Sequence, residues 1–200
     1  MTIKYEKTLR AISVVLSPTG IAIIVSGIFS FGFPLRASIL DPVWVFILGT
    51  IFIGFLPISA VIYERSKGNV SLEVPNQEER TYFLVLAVFF YGIGAVIFYL
   101  IQCMIMFVIS AAYITVTSTV TAVNSRTKVS VHAAGAAGPL TAIVMVYGIW
   151  TLFVYSIVVL VVWVRLELKA HTSSELLTGT IIGIIMTVLT LLLLLPLWSV

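Results

Sequence analysis

The chain has 200 residues, 60% of them hydrophobic and only 10% charged; its mean hydropathy of +1.18 argues against a soluble globular domain. The formal charge of +3 is scattered through short polar breaks with no basic run, which argues against nucleic acid as a partner. Apolar residues gather in runs of about 18 or more, enough to cross a hydrocarbon core of about 30 Å as helix. With no water available to a lipid-facing backbone, such runs must be helical. The expectation is an all-α, polytopic transmembrane helical bundle, a single integral membrane domain over residues 1–200.

Lys4, Lys7 and Arg10 precede the first apolar run, which lacks the small-residue cleavage pattern of a signal peptide. Spans are expected at about 11–31, 43–63, 82–101, 104–123, 132–148, 150–168 and 175–197. Pro34, Arg36, Asp41 and Pro42 mark the first break, and the charged segment 64–80 the second. The apolar stretch 81–123 is too long for one helix, so a turn is expected near Gln102; Gly148 is the expected turn within 131–164. The lone Cys103 lies inside an apolar run and suggests neither a disulfide nor a redox role. Small residues from Ala133 to Gly138, and Gly179 with Gly183, suit close packing of neighbouring helices.

Seven spans place the amino terminus and the breaks 64–80, 124–131 and 165–174 on one face. That face then carries ten of the eleven Lys and Arg residues, with only Arg36 opposite. Positive residues in short loops mark the cytoplasmic side. The expectation is therefore a cell-membrane protein with a cytoplasmic amino terminus and its polar breaks on the cytoplasmic face. Six spans are the alternative, with 131–164 crossing once; Arg165 and Lys169 would then move to the other face and weaken the bias.

The polar residues limit the chemistry. Asp41 is the only aspartate and lies opposite the charged breaks, which makes a magnesium site of clustered aspartates hard to build. Two histidines and one mid-run cysteine serve a zinc site poorly. No phosphate-binding P-loop and no GxSxG nucleophile elbow occurs. What the breaks share is Arg and Lys, His132 and His171, Ser130 and Glu175. Several cations facing two imidazoles suit phosphoryl chemistry without a metal or other cofactor. The cations hold the equatorial oxygens, one imidazole attacks and the other protonates the leaving oxygen.

These residues resemble the type 2 phosphatidic acid phosphatase superfamily, whose three motifs KxxxxxxRP, PSGH and SRxxxxxHxxxD lie on one membrane face. Val164-Arg165-x5-His171-x3-Glu175, continuing Leu-Leu-Thr-Gly179, is similar to the third. Lys128-Val-Ser130-Val-His132 keeps the serine and histidine of the second without its proline and glycine. Lys67 and Arg80 lie where the first belongs, thirteen apart and without the following proline. The resemblance covers about 67–183, within a motif-bearing core of about 64–197.

The resemblance implies that His171 attacks phosphorus and forms a phosphohistidine, with Glu175 orienting its imidazole. His132 would protonate the departing alkoxide and then activate water. Arg165, Arg80 and Lys67 would bind phosphate oxygens, Ser130 and nearby backbone N–H groups would assist, and Lys128 would add a cation. The residues themselves leave other readings open. Thr172-Ser-Ser-Glu175 is also a capping box, Arg165, Lys169 and Lys67 suit snorkelling at an interface, and Arg80 suits a flanking anchor. Helix starts near Ser130 and His171 would both present free amides to one phosphate. The expected activity is metal-independent dephosphorylation of a lipid phosphate or prenyl diphosphate. The alternatives are a non-catalytic transporter or lipid-binding subunit, and a lipid-linked phosphotransferase.

Overall fold

A computed structural model describes residues 3–32, 38–68 and 77–198. Arg36, the one basic residue expected on the opposite face, lies outside them, as do residues 69–76 of the break expected at 64–80. Every regular element among the described residues is helical.

Helix α1 (Ile3–Val15) and helix α2 (Pro18–Gly32) meet at a bend of 45°. The single first span expected over 11–31 is therefore two helices. The cause is local: Pro18 suits the first position of a helix but disfavours helical backbone in the residue before it. Ser17 fills that position, and its Oγ accepts from the Gly20 amide at 3.2 Å.

Asp41 opens helix α3 (Pro42–Gly49), its Oδ1 accepting from the Val43 amide at 2.9 Å. A π-helical turn, Thr50–Phe55, carries the chain into helix α4 (Leu56–Ser66), so that Pro42–Ser66 forms one 25-residue apolar stretch. Pro57 stands just inside α4. With no N–H to give to the carbonyl four residues back, it leaves the ladder to close in the wider turn before it.

Helices α5 (Gln77–Leu100) and α6 (Met104–Asn124) divide the long apolar stretch where expected. Gln102 takes a left-handed conformation, φ 58°, and the Cys103 amide donates to the Phe98 carbonyl at 2.8 Å. Helix α7 (Val131–Tyr147) stops at Gly148, whose φ of 96° is open to glycine and costly to other residues. A 3₁₀ turn, Ile149–Val154, leads into helix α8 (Tyr155–Glu167), and helix α9 (Ser173–Leu194) ends in a second one, Leu195–Trp198.

Among the described residues, five helical stretches are long and apolar enough to cross a membrane: Pro42–Ser66, Glu78–Leu100, Met104–Asn124, Ile149–Glu167 and Ser173–Leu194. The bent pair α1–α2 makes six if it crosses as one span, and α7 is a shorter apolar helix of 17 residues. The chain has the build of an integral membrane protein.

Helix α7 is the centre of the bundle. Ala133, Ala134, Ala136, Ala137 and the run Gly138 to Ile143 are all buried, as expected of a helix apolar all round. It crosses α9 so closely that a Cβ added at Gly179 would lie 2.5 Å from the Ser130 carbonyl oxygen. One added at Gly183 would lie 2.7 Å from the Ala134 carbonyl oxygen and 2.9 Å from the Gly138 nitrogen. The small residues on both helices thus serve the close packing expected of them. Helix α6 packs on α5, α7 and α9, helix α2 covers another side of α7, and α1 rests on α8. Phe29, Phe98, Met106, Ile109 and Leu191 form the fully buried interior.

Candidate functional site

The α7–α9 crossing sets the position of the polar segments. Because glycine at 179 lets the two helix starts touch, the Ser130 amide donates to the Glu175 carbonyl at 3.2 Å. His132, on the first turn of α7, and the turn preceding α9 are brought to the same end of the bundle.

The turn into α9 is built by a left-handed residue. Lys169, φ 52°, ends α8 and lets the Ala170 amide donate back to the Arg165 carbonyl at 3.1 Å. His171 follows, then Thr172, whose Oγ1 caps α9 by accepting from the Glu175 amide at 3.3 Å. This places His171 and Glu175 on one face, and His171 Nδ1 and Glu175 Oε2 are 2.6 Å apart. The carboxylate also lies against the Thr172 amide, so capping and contact with the imidazole coexist.

The His171 side chain is largely buried, at 8% exposure. Burial pushes its pKa below the ordinary value; the hydrogen bond to Glu175 opposes this, and the positive charges of Arg165 and Lys128 add to it. The neutral ring is favoured, and with Nδ1–H donating to Glu175 it presents a lone pair at Nε2.

Two arginines lie buried at the same end. Arg165 Nη1 donates to Ser13 Oγ on α1 at 3.3 Å, and Arg80 Nη1 donates to Asn124 Oδ1 at the end of α6 at 3.1 Å. Arg80 is within electrostatic reach of Glu175 and Arg165. His132 is within reach of Arg165 and His171, and its ring makes no hydrogen bond among the described residues.

Arg80, His132, Arg165 and His171 all line one cavity of about 1220 Å³. Its remaining wall is mostly apolar, contributed by α1, α2, the π turn, α4, α5, α6 and α7. Arg10 and Arg65 also reach it. The volume exceeds the roughly 300–1,000 Å³ of ordinary small-molecule pockets. An anionic group would rest against the arginines and imidazoles, and a long apolar tail against the remainder.

Three expected phosphate ligands do not line the cavity. Ser130 is fully buried and does not line the cavity. Its Oγ accepts from the Ala133 amide at 3.3 Å and its amide is bonded to Glu175, so it caps α7 and ties it to α9. The free amide expected at Ser130 is thereby used. Lys67 is exposed beyond the end of α4, with Nζ 4.2 Å from the centroid of the Tyr63 ring one turn back. Lys128 is half exposed and beside the site: Nζ donates to the Ala170 carbonyl at 3.3 Å and lies 3.9 Å from Glu175 Oε2. It bridges the two polar turns.

Ser13 and Asn124 were not legible as site residues. Asn124 had a weak signal, a polar side chain ending an apolar run. Ser13 had none, since hydroxyls are common in apolar helices. Among the described residues no three of His, Cys, Asp and Glu gather closely enough to hold a metal ion. Compared with family models, characterised proteins and solved structures, the chain matches none.

Proposed function

We propose that this chain is an integral membrane phosphohydrolase acting on a lipid phosphate or prenyl diphosphate through a phosphohistidine, as its resemblance to the type 2 phosphatidic acid phosphatase superfamily implies. The observation that carries the reading is that one cavity has two imidazoles and two buried arginines in its wall and a long apolar remainder.

In the first step His171 Nε2 gives its lone pair to phosphorus while Glu175 holds Nδ1–H. The bond from phosphorus to the lipid oxygen breaks, and that oxygen takes a proton from His132. Arg165 and Arg80 stabilise the equatorial oxygens as charge spreads over them. In the second step His132 takes a proton from water, the hydroxide oxygen bonds to phosphorus, and the P–N bond breaks. His171 returns to neutral imidazole and inorganic phosphate leaves. In this reading His132 takes up its proton together with the substrate, whose negative charge offsets that of Arg165 beside the ring.

The finer membrane arrangement belongs to the same reading. Helix α7 serves as a seventh span, its 17 residues sheathed by α2, α6, α8 and α9; a span wrapped in protein tolerates a shorter length than one facing lipid. The site then lies on the cytoplasmic face with the amino terminus and ten of the eleven basic residues. Purified protein should release inorganic phosphate from lipid phosphates in EDTA, and His171→Ala and His132→Ala should each abolish release. Phosphate appearing only on an acceptor alcohol would instead identify a phosphotransferase, and no reaction with any lipid phosphate a non-catalytic protein.

A further inference from the structure

We infer that the cavity is filled sideways from the bilayer, through an apolar portal between the α1–α2 pair and α4, by a lipid anion whose headgroup stays at the cationic end. The inference rests on the phosphate site proposed above and adds to it the route by which substrate reaches that site.

A wall residue that is also exposed stands at an opening. The parts of the cavity wall contributed by α5, α6, α7 and α9 contain no exposed residue. The exposed apolar ones are Val14 and Val15 on α1, Ile24 on α2, Phe55 on the π turn and Ile62 on α4. Ile24 and Phe55 are each 53% exposed and Ile62 49%. The opening is therefore a slit, with α1 and α2 along one side and the π turn and α4 along the other. Arg10 and Arg65, also exposed and in the wall, mark one end of it. That is the end at which α4 stops and α5 begins, with Arg80 in its first turn.

The π turn accounts for the slit. Below it α2 is in close contact with the facing stretch: a Cβ added at Gly54 would lie 3.1 Å from Ile23 Cγ1, and one at Gly27 3.5 Å from Phe46 Cε2. A π-helical turn bends the helix that contains it, and beyond it α4 packs on α5. Phe55 stands ten positions before Arg65, about 15 Å along the helix. That is about half of the ~30 Å hydrocarbon core, the depth of one leaflet. Valine, isoleucine and phenylalanine at the rim are unfavourable against water and at ease against acyl chains. A lipid anion moving through such a slit keeps its tail in apolar surroundings throughout. Its charge meets Arg65 and Arg10 on the way to the imidazoles.

A portal governs rates and leaves equilibrium affinity alone, and the test uses that difference. The full chain, in a His171→Ala background so that the probe is not consumed, is reconstituted in phosphatidylcholine vesicles with a tail-labelled fluorescent phosphatidic acid. Exchange is followed on adding excess unlabelled phosphatidic acid. Ile24→Trp combined with Ile62→Trp should slow binding and release alike by about tenfold and leave the affinity within about twofold. Binding of inorganic phosphate, which needs no apolar route, should not change. Val159→Trp, on α8 at 68% exposure and outside the cavity wall, should have no effect. Phe55→Ala widens the slit and should speed exchange, which covers the case in which the double tryptophan variant fails to fold. Exchange that ignores these changes, that slows equally in Val159→Trp, or that slows only as far as affinity is altered overturns the inference. With His171 intact, hydrolysis of vesicle phosphatidic acid at an undiminished rate in the double tryptophan variant removes the portal alone. Portal-dependent exchange in a chain that hydrolyses no lipid phosphate removes the phosphatase reading and leaves the portal. Absence of any binding of the labelled lipid removes both.

Discussion

His171 combines two properties that usually conflict, a buried ring and a fixed carboxylate partner. Burial and the nearby cations favour the neutral ring, while the 2.6 Å contact to Glu175 sets its tautomer. The pH consequence has a definite sign. Because the pKa in the folded protein lies below the ordinary value of about 6.5, the neutral ring, the proposed nucleophile, persists on acidification past the point where a free imidazole would protonate. The acid limb of kcat/KM attributable to this group should therefore fall below pH 6.5. The associated stability is present above the unfolded value and is lost as pH falls through the lowered folded one. A pH–rate profile with its acid limb above 6.5 would contradict this. Glu175→Gln keeps the helix start but loses the carboxylate, and should lower kcat by about 100-fold or more. An effect within a few-fold would reduce Glu175 to a cap.

At the scale of elements, the site depends on two helices that are allowed to touch. A valine at Gly179 would drive a side chain into the Ser130 carbonyl, and the separation would carry His132 away from His171. Gly179→Val should cost about 1–3 kcal/mol of stability from overpacking and reduce activity further than that loss explains; a thermal melt beside a turnover assay separates the two. Much of this was legible in the sequence. Apolar stretches too long for one crossing called for turns, and Gln102 and Gly148 provide them with positive φ. Four-residue spacing put His171 beside Glu175, and the small residues pointed to a close crossing. What stayed hidden has physical reasons. Ser17–Pro18 interrupts a run that is uncharged throughout and mostly apolar, so hydropathy passes over the bend. Ser130 has the residue type of a phosphate ligand and of an N-cap alike, and only the bonds to Ala133 and Glu175 show it in the second place. The partnerships of Arg165 with Ser13 and of Arg80 with Asn124 join residues 152 and 44 positions apart, and no local pattern announces them.

Across the whole molecule, a charged cavity end and a long apolar wall are joined in one space, and the bundle supplies both by leaving room between α2, α4, α5, α6 and α7. The seven-span arrangement is open to direct test. With Cys103 replaced by serine, a single cysteine at Lys169 should react with an impermeant maleimide only from the cytoplasmic side, and one at Trp150, 87% exposed, only from the other. Labelling of both from one side would mean that Ile149–Glu167 does not cross. The central claim, that His171 carries the phosphoryl group, is tested most directly by quenching the purified protein during turnover of a lipid phosphate in EDTA and mapping the modified residue by mass spectrometry. The account predicts an acid-labile phosphoramidate on His171, absent in His171→Ala, which also releases no phosphate. Phosphate release that continues in His171→Ala would contradict it.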